Sequence, residues 1–197
     1  MTEEDFASTL YEIGGVKFGS FLLKSGILSP IYIDLRSLVS YPAVLREIGR
    51  LLKRRAADLA FDRIAGIPYT GLPIALALSL EANLPLIYPR REIKDYGTMR
   101  AIEGEYQAGE KALVVDDVIS DGESKIQTIR TLEAAGLVVE DVLVLIDREQ
   151  GGGQRLASEG YRLHSVLGLK KMLSILRGRR CISQEQEEEV LAFLAAR

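Results

Sequence analysis

The chain has 197 residues and a formal net charge of −3, and 47% of its residues are hydrophobic and 27% charged. These values are typical of one globular domain and argue against a general nucleic-acid binder. The single cysteine, Cys181, excludes an internal disulfide and a cysteine-cluster metal site. The N-terminus is acidic, unlike a signal peptide, and no apolar run approaches membrane-spanning length. We therefore expect a cytoplasmic protein that binds neither a membrane nor nucleic acid.

Hydrophobic periodicity predicts helices and strands along most of the chain. A helix over about 3–13 is followed by two short strands, 16–23 and 31–35, and by a helix from Pro42 to about Ala60. From there strands alternate with helices, which predicts a parallel sheet with helices on both faces and ligands beyond the carboxyl ends of the strands. The remaining predicted strands are 62–67, 84–88, 111–116, 138–146 and 161–168, and the remaining predicted helices are 71–82, 123–135 and 183–196.

The loop after strand 111–116 combines acidic residues with a potential phosphate site. Two adjacent carboxylates, Asp116 and Asp117, end an apolar run, and residues 120–124 bring hydroxyl groups and a glycine to the start of a helix. Backbone N–H groups at a helix N-terminus bind phosphate, whereas carboxylates accept hydrogen bonds from sugar hydroxyls or help to hold Mg²⁺. A phosphate, vicinal hydroxyls and a magnesium-bound polyanion occur together in phosphoribosyl pyrophosphate (PRPP). The alternative is a strand end followed by an ordinary helix cap.

The string LVVDDVISDGES, residues 113–124, resembles the PRPP-binding motif of type I phosphoribosyltransferases. The resemblance implies an α/β fold with a central, mostly parallel sheet flanked by helices, and a small N-terminal hood. It also implies a catalytic role for Asp117. Acidic residues stand at 121 and 123, where the family usually has small or hydroxyl residues, and we expect them to point outward. The PRPP-binding residues implied in this motif are Asp116, Asp117, Val118, Ile119, Ser120, Asp121, Gly122, Glu123 and Ser124.

The N-terminal string FLLKSGILSPIYIDLR, residues 21–36, resembles the orotate phosphoribosyltransferase subfamily. The resemblance implies that Lys24 lies at the reacting centre and contacts orotate. It also implies that Tyr32 and Ile33 wall the base, and an aromatic face suits a flat pyrimidine. From the residues alone, Tyr32 and Ile33 are ordinary half-buried strand residues.

The string IPYTGLP, residues 67–73, is similar to the pyrophosphate loop of the family. The similarity implies that Tyr69 and Thr70 bind PRPP through a hydroxyl group and backbone amides. Many bacterial members have lysine at the position of Thr70. In this respect the sequence is closest in pattern to the phosphoribosyltransferase domain of UMP synthases.

A polar segment over about 89–109 has no apolar periodicity, and loops of this length are usually functional or disordered. Composition alone favours a solvated surface loop. The string PRREIKDYG within it resembles the mobile catalytic loop of orotate phosphoribosyltransferases. The resemblance implies that Arg90, Arg91, Lys94 and Tyr96 bind PRPP and that Lys94 is catalytic.

The string LIDREQGG, residues 145–152, follows the next predicted strand. Its resemblance to the family implies that Arg148 binds the orotate carboxylate, and Ser120 is implied as a second orotate contact. A guanidinium group suits bidentate contact with a carboxylate. A structural salt bridge of Arg148 is the alternative.

The resemblance covers about residues 13–176 and implies one phosphoribosyltransferase domain over 1–197, without a decarboxylase domain. The hood would comprise about 1–40 and C-terminal segments. The implied reaction, in pyrimidine (UMP) biosynthesis, transfers phosphoribosyl from PRPP to N1 of orotate and gives orotidine 5′-monophosphate and pyrophosphate. The implied cofactor is Mg²⁺, held mainly by PRPP near Asp116 and Asp117 without a fixed protein ligand. The implied assembly is a homodimer that shares the mobile loop. Two alternatives are a phosphoribosyltransferase for another base and a non-catalytic regulator that senses PRPP.

Overall fold

The computed structural model describes residues 1–22, 26–90 and 101–196, which form two sheets and their surrounding helices. The strands are β1 (Val16–Leu22), β2 (Leu28–Ile33), β3 (Arg63–Gly66), β4 (Leu86–Pro89), β5 (Ile102–Glu103), β6 (Ala112–Ile119), β7 (Asp141–Asp147) and β8 (Arg162–Gly168). The helices are α1 (Glu3–Glu12), α2 (Pro42–Arg55), α3 (Gly71–Ala82), α4 (Glu123–Ala134), α5 (Gly152–Ser158), α6 (Leu169–Gly178) and α7 (Gln184–Ala195), with a 3₁₀ turn at Arg36–Ser40.

The larger sheet has the strand order β5-β4-β3-β6-β7-β8. Its strands are parallel except for β5, a two-residue edge strand that pairs antiparallel with β4. From β3 the chain moves outward to β4, and from β6 it moves outward to β7 and β8 on the other side. The predicted fold class, a mostly parallel sheet flanked by helices, is confirmed.

Helices cover both faces because successive strand residues point to opposite sides. In β6, Leu113 and Val115 pack into a core with α1, α2, α3, α6 and α7. Val114 packs on the other face with α4 and α5. Across the described segments of the chain, every helix is too short or too polar to cross a bilayer.

The smaller sheet is the antiparallel hairpin of β1 and β2. It contacts helix α1 and helix α7, which lie at the two ends of the described chain. Helix α1 begins at a capping box, in which the Thr2 hydroxyl accepts the Asp5 N–H and the Asp5 carboxylate accepts the Thr2 N–H. Helix α7 packs against β2 and α6. The hairpin and the C-terminal helix are therefore neighbours, although the boundaries of a hood stay a prediction.

Several predicted elements differ from the structure. Helix α2 ends at Arg55 and not near Ala60, because the chain turns there and brings Leu59 and Phe61 back onto the core. The second strand ends at Ile33, since the Asp34 carboxylate accepts the Arg36 N–H and turns the chain. Helices α5 and α6 are not predicted from the sequence.

Close packing of α2 on α3 requires glycine at position 49. A methyl group there would lie 2.5 Å from the backbone oxygen of Ala77, which cannot move like a flexible side chain. We expect Gly49→Ala to lower the free energy of unfolding by about 1–3 kcal/mol, as measured by urea unfolding followed by circular dichroism.

The matched control is Gly178→Ala, at the end of α6, where an added methyl group meets nothing within 4 Å. Alanine favours helices over glycine, so this variant should be as stable as the wild type or slightly more stable. Equal stability of the Gly49 variant and the wild type would mean that α2 and α3 adjust without cost.

Candidate active site

The strand order reverses between β3 and β6, the two central neighbours of the sheet. In open α/β sheets a crevice forms at such a point, outside the carboxyl ends of the strands. The loop 67–70 follows β3 and the loop 120–122 follows β6, so both border this crevice. Ligand binding is therefore expected at this edge of the sheet.

The two adjacent carboxylates lie within β6 and not after it. The strand continues to Ile119, and Asp116 pairs with Val144 of β7. The predicted end of the strand at Asp116 is therefore wrong. Neighbouring residues of a strand project to opposite sides, so the two acids have different surroundings.

Asp116 is almost fully buried and is paired with a lysine. Its Oδ2 atom lies 2.7 Å from Nζ of Lys125, and its Oδ1 atom accepts the Asp117 N–H at 2.9 Å. Buried charges are stable when they are paired and hydrogen-bonded. The ion pair with Lys125 therefore explains how the Asp116 carboxylate can be buried in this strand.

Asp117 has a different electrostatic character. Its Oδ1 atom accepts the Val118 N–H at 2.8 Å. Burial and, second, the negative charge of Asp116 raise the pKa of the Asp117 carboxyl from 3.8 to about 7. Near neutral pH the protonated and ionised forms of Asp117 are therefore both populated, and a ligand that brings cations or hydroxyl donors would favour the ionised form.

The loop from Ser120 to Ser124 leads directly into α4. Gly122 adopts a left-handed conformation with φ of 80° and forms the N-cap of α4 without a side-chain cap. A left-handed φ favours glycine. The start of α4 therefore presents backbone donors without a capping side chain from its N-cap residue.

The two acidic residues of this loop have internal partners. The Glu123 carboxylate forms an ion pair with Arg155 of α5 and accepts a hydrogen bond from Gln127 at 3.0 Å. The exposed Asp121 accepts the Glu123 N–H at 3.1 Å. Thus Glu123 is neutralised by an arginine, whereas Asp121 occupies one donor of the helix N-terminus and does not point fully outward.

The loop after β3 packs closely on the carboxylate pair. A methyl group on Gly71, the first residue of α3, would lie 2.8 Å from Asp116 Oδ1 and 2.9 Å from the Val115 carbonyl oxygen. Only glycine allows α3 to begin this close to β6. The preceding Pro68–Tyr69 peptide bond is cis, and the Tyr69 side chain is 68% exposed.

The loop after β7 is joined to the loop after β6. The Arg148 N–H donates to the Ile119 carbonyl at 2.9 Å, and Arg148 Nη1 lies 3.5 Å from Ser120 Oγ. The Gly152 N–H donates to the Ser120 carbonyl at 2.9 Å. These contacts bring Arg148 and Ser120, two of the residues expected to bind orotate, side by side.

Arg90, at the end of β4, forms an ion pair with Glu103 of β5. Arg90 also lines a cavity of about 250 Å³. The structure thereby brings the loop after β3, the end of β4 and the first turns of α4 around one space. The lining residues are Ile67, Pro68, Pro89, Arg90, Ser124, Gln127, Thr128 and Thr131.

The hairpin residues expected to wall the base have different environments. Tyr32 stacks on Phe21, with ring centroids 5.5 Å apart, and its hydroxyl accepts a hydrogen bond from Arg36 at 3.3 Å. Ile33 packs against the main core. Of these two residues, Tyr32 is therefore the one whose side chain, an aromatic ring, is held near the surface.

Four of the expected site residues, Lys24, Arg91, Lys94 and Tyr96, lie outside the described residues. Lys125 and Arg155 are missing from the sequence-based site but contact it. Lys125 follows the phosphate motif directly, which is a local signal. Arg155 has no local signal, because its partner Glu123 is 32 residues away.

The donor atoms of the site fit a metal ion that arrives with its substrate. Among the described residues, no three His, Cys, Asp or Glu side chains come together to hold a metal. Asp116 is already paired with Lys125, which leaves Asp117. Magnesium commonly binds through one or two carboxylates together with substrate phosphates, and this arrangement suits that mode.

A family model described as phosphoribosyl transferase domain matches residues 35–160. Among curated proteins, the uridine 5′-monophosphate synthase of Bos taurus is 43% identical over 187 residues, which are 94% of this chain and 39% of that protein. The orotate phosphoribosyltransferase of Caenorhabditis elegans is 38% identical over 195 residues, which are 98% of this chain and 86% of that protein.

Among solved structures, the Leishmania donovani UMP synthase is 45% identical and superposes with a TM-score of 0.92, over 100% of this chain and 43% of that one. The chain thus spans about two fifths of the length of the bovine and leishmanial proteins. This chain belongs to the phosphoribosyltransferase family, and within it to the group that contains orotate phosphoribosyltransferases and UMP synthases.

The raised pKa of Asp117 makes stability depend on pH. The folded state keeps the Asp117 proton up to about pH 7, whereas the unfolded state loses it near pH 4. The stability that the protonated carboxyl gives the folded state is therefore fully present below about pH 4 and is lost as the pH rises through 7. We expect Asp117→Asn to be more stable than the wild type at pH 8 by up to about 4 kcal/mol.

The measurement is urea unfolding of both proteins without ligand at pH 4 and pH 8. The difference between them should shrink toward pH 4. Asp58→Asn, which removes a carboxylate from an exposed turn, is the control for the loss of one negative charge. A stability difference that is the same at both pH values would contradict the assignment of the titration to Asp117.

Proposed function

We propose that this chain is an orotate phosphoribosyltransferase, which transfers the phosphoribosyl group of PRPP to N1 of orotate. The products are orotidine 5′-monophosphate and pyrophosphate, in pyrimidine biosynthesis. The observation that carries the proposal is the junction of β6 and α4, where Asp117 and the loop 120–124 lie at the switch point between β3 and β6. The named relatives support the choice of orotate.

The donor substrate would be bound by two parts of this junction. Backbone donors at the start of α4 and the hydroxyls of Ser120 and Ser124 suit the 5′-phosphate. The carboxylates of Asp116 and Asp117 suit the ribose hydroxyls, and Lys125 forms its ion pair with Asp116 and not with Asp117. Tyr69 and Thr70 would contact pyrophosphate at the start of α3.

The reaction breaks the bond between C1 of the ribose and pyrophosphate and forms a bond from C1 to N1 of orotate. N1 gives up its proton to pyrophosphate or to water. This chemistry needs substrates held in line and stabilisation of the charge on the leaving pyrophosphate more than it needs a nucleophile. Arg90 lies at the edge of the described site. Arg91, Lys94, Tyr96 and Lys24, outside the described residues, would complete the contacts to the reacting groups.

Magnesium would enter with PRPP, as is usual in the family, and would offset the negative charge of pyrophosphate when bound. Asp117 is the carboxylate of the pair available to it, since Asp116 is paired with Lys125. Arg148, beside Ser120, would bind the orotate carboxylate. The proposal includes a cytoplasmic location, in keeping with the single cysteine.

The test is direct. Purified protein with Mg²⁺ and PRPP should lower the absorbance of orotate and release pyrophosphate, and orotidine 5′-monophosphate should be found by mass spectrometry. Turnover of adenine, hypoxanthine or uracil without turnover of orotate would assign another base. Binding of PRPP without turnover of any base would favour the regulator.

A homodimer is part of the proposal, and an apolar surface supports it. The α2–α3 face consists of Tyr41 and Leu45 of the α2 region and Leu76 and Leu80 of α3, with Leu80 75% exposed. Exposed apolar patches mark interaction surfaces. Because α3 begins at the pyrophosphate loop, a second copy on this face would lie near the site, where it could share the mobile loop.

Removing the guanidinium of Arg148 should weaken orotate binding. We expect Arg148→Ala to raise KM for orotate at least about tenfold, while KM for PRPP changes little, because one charged contact to a carboxylate is lost. The KM for orotate of Arg148→Lys should lie between those of the wild type and of Arg148→Ala, since lysine keeps the charge without the bidentate geometry. Initial rates at saturating PRPP give both constants.

Arg130→Ala is the control for this variant, because Arg130 lies exposed on α4, where it is 3.5 Å from Glu159. Its constants should equal those of the wild type. An unchanged KM for orotate in Arg148→Ala would mean that another group binds the carboxylate.

Charges placed on the α2–α3 face should separate the dimer. We expect the double variant Leu76→Glu and Leu80→Glu to be a monomer in light scattering, because carboxylates in an apolar interface lose hydration. Val138→Glu, which changes a 39% exposed residue elsewhere, should leave the dimer intact. A monomeric wild type, or a dimeric double variant, would show that this face is not the interface.

A further inference from the structure

Lys125 lies inside the site but has no part in the chemistry described above. Its side chain is 6% exposed, which is unusual for a lysine. Its Nζ atom lies 2.7 Å from Asp116 Oδ2, 2.5 Å from the Val118 carbonyl oxygen and 3.4 Å from Ser124 Oγ. An ammonium group has three donors, so each of them has an acceptor within the protein.

The three acceptors come from two parts of the site that would bind different ends of one substrate. Asp116 and Val118 belong to β6, and Asp116 is one of the two carboxylates expected at the ribose. Ser124 belongs to the loop expected at the 5′-phosphate, and Lys125 itself is in the first turn of α4. The lysine therefore joins the start of the helix to the strand from which the carboxylates project.

Without Lys125, the Asp116 carboxylate would lose its cation in a space that allows little adjustment. Its Oδ1 atom accepts the Asp117 N–H, and a methyl group on Gly71 would lie only 2.8 Å from that atom. Its Oδ2 atom is held by Lys125. A buried carboxylate without its cation must protonate, move or draw in water, and each change alters the position of the neighbouring Asp117.

We propose that Lys125 is a positioning residue for PRPP, which fixes the Asp116–Asp117 pair and the phosphate loop 120–124 at the separation that one substrate molecule requires. This inference rests on the proposed function, because it concerns how that same site binds its donor substrate. Lys125 does not contact the substrate. It acts through Asp116 and through the first turn of α4.

The principal test is Lys125→Met, which removes the charge and keeps the length of the side chain. Misplacement of binding groups by a fraction of an ångström weakens the contacts that depend on them. We expect KM for PRPP to rise at least about tenfold, while KM for orotate stays within about twofold. Lys111→Met, which breaks an exposed ion pair with Glu140, is the control and should match the wild type.

A purely structural lysine would lower the melting temperature and leave the constants of the folded enzyme unchanged. Unchanged constants in Lys125→Met would therefore overturn the proposal. If this variant does not fold, Lys125→Arg decides, because it keeps the cation but cannot reproduce the geometry of the ammonium group. A several-fold rise in KM for PRPP supports positioning, and an unchanged KM overturns it.

A double-mutant cycle tests whether Lys125 acts through Asp116. In an Asp116→Asn background, Lys125→Met should add little further loss of kcat/KM for PRPP. An equal fold-loss in both backgrounds would overturn the coupling.

Calorimetric titration of PRPP with Mg²⁺, without any base, separates this inference from the proposed function. Weaker PRPP binding in Lys125→Met than in the wild type supports positioning even if orotate is not the acceptor. Orotate turnover by the wild type, with equal PRPP binding in both proteins, would overturn the positioning role alone.

Discussion

Two helices begin against the carboxyl half of β6, and both begin beside one carboxylate, that of Asp116. Gly71 lets α3 start almost in contact with Asp116, and Lys125 ties the first turn of α4 to the same side chain. The loops 67–70 and 120–122 therefore both lead into helices that start beside Asp116. A buried ion pair often adds little to net stability, but removal of one partner is costly, so this pair is best understood as a geometric constraint.

That constraint also separates the roles of two chemically identical neighbours. Asp116 forms an ion pair with Lys125, and after burial it is the second cause of the raised pKa of Asp117. One acid of the pair is thus held by a lysine, whereas the other is not paired with that lysine and can respond to a ligand. A second ion pair lies at the start of α4, where Arg155 offsets the charge of Glu123 close to the expected phosphate site.

Local patterns predict most of this protein. Helix α3 and the start of α4 agree with the periodicity of their sequences, and the fold class follows from the alternation of strands and helices. The motif 116–124 is contiguous, so the sequence alone places it between a strand and a helix, although the predicted strand ends at Asp116 and β6 continues to Ile119. The end of α2 is not predictable in this way, because residues beyond Arg55 keep helical character and only the packing of Leu59 and Phe61 turns the chain.

The partners within the site are harder to predict, because they depend on contacts between distant segments. Nothing near Glu123 in the sequence indicates Arg155, and nothing near Tyr32 indicates its stacking on Phe21 across the hairpin. The position of Ile33 against the core also depends on the packing of the hairpin. The predicted roles of Lys24 and Lys94 concern residues outside the described chain and stay predictions.

The hydrogen bond from the Glu123 N–H to Asp121 gives the loop 120–124 an anion of its own. A helix terminus with one donor already occupied is ordered before a ligand binds, so less conformational entropy is lost on binding. If this loop binds the 5′-phosphate as proposed, the phosphate would have to compete with the Asp121 carboxylate for that donor. The acidic residue would then set the minimum strength of interaction that an incoming anion needs.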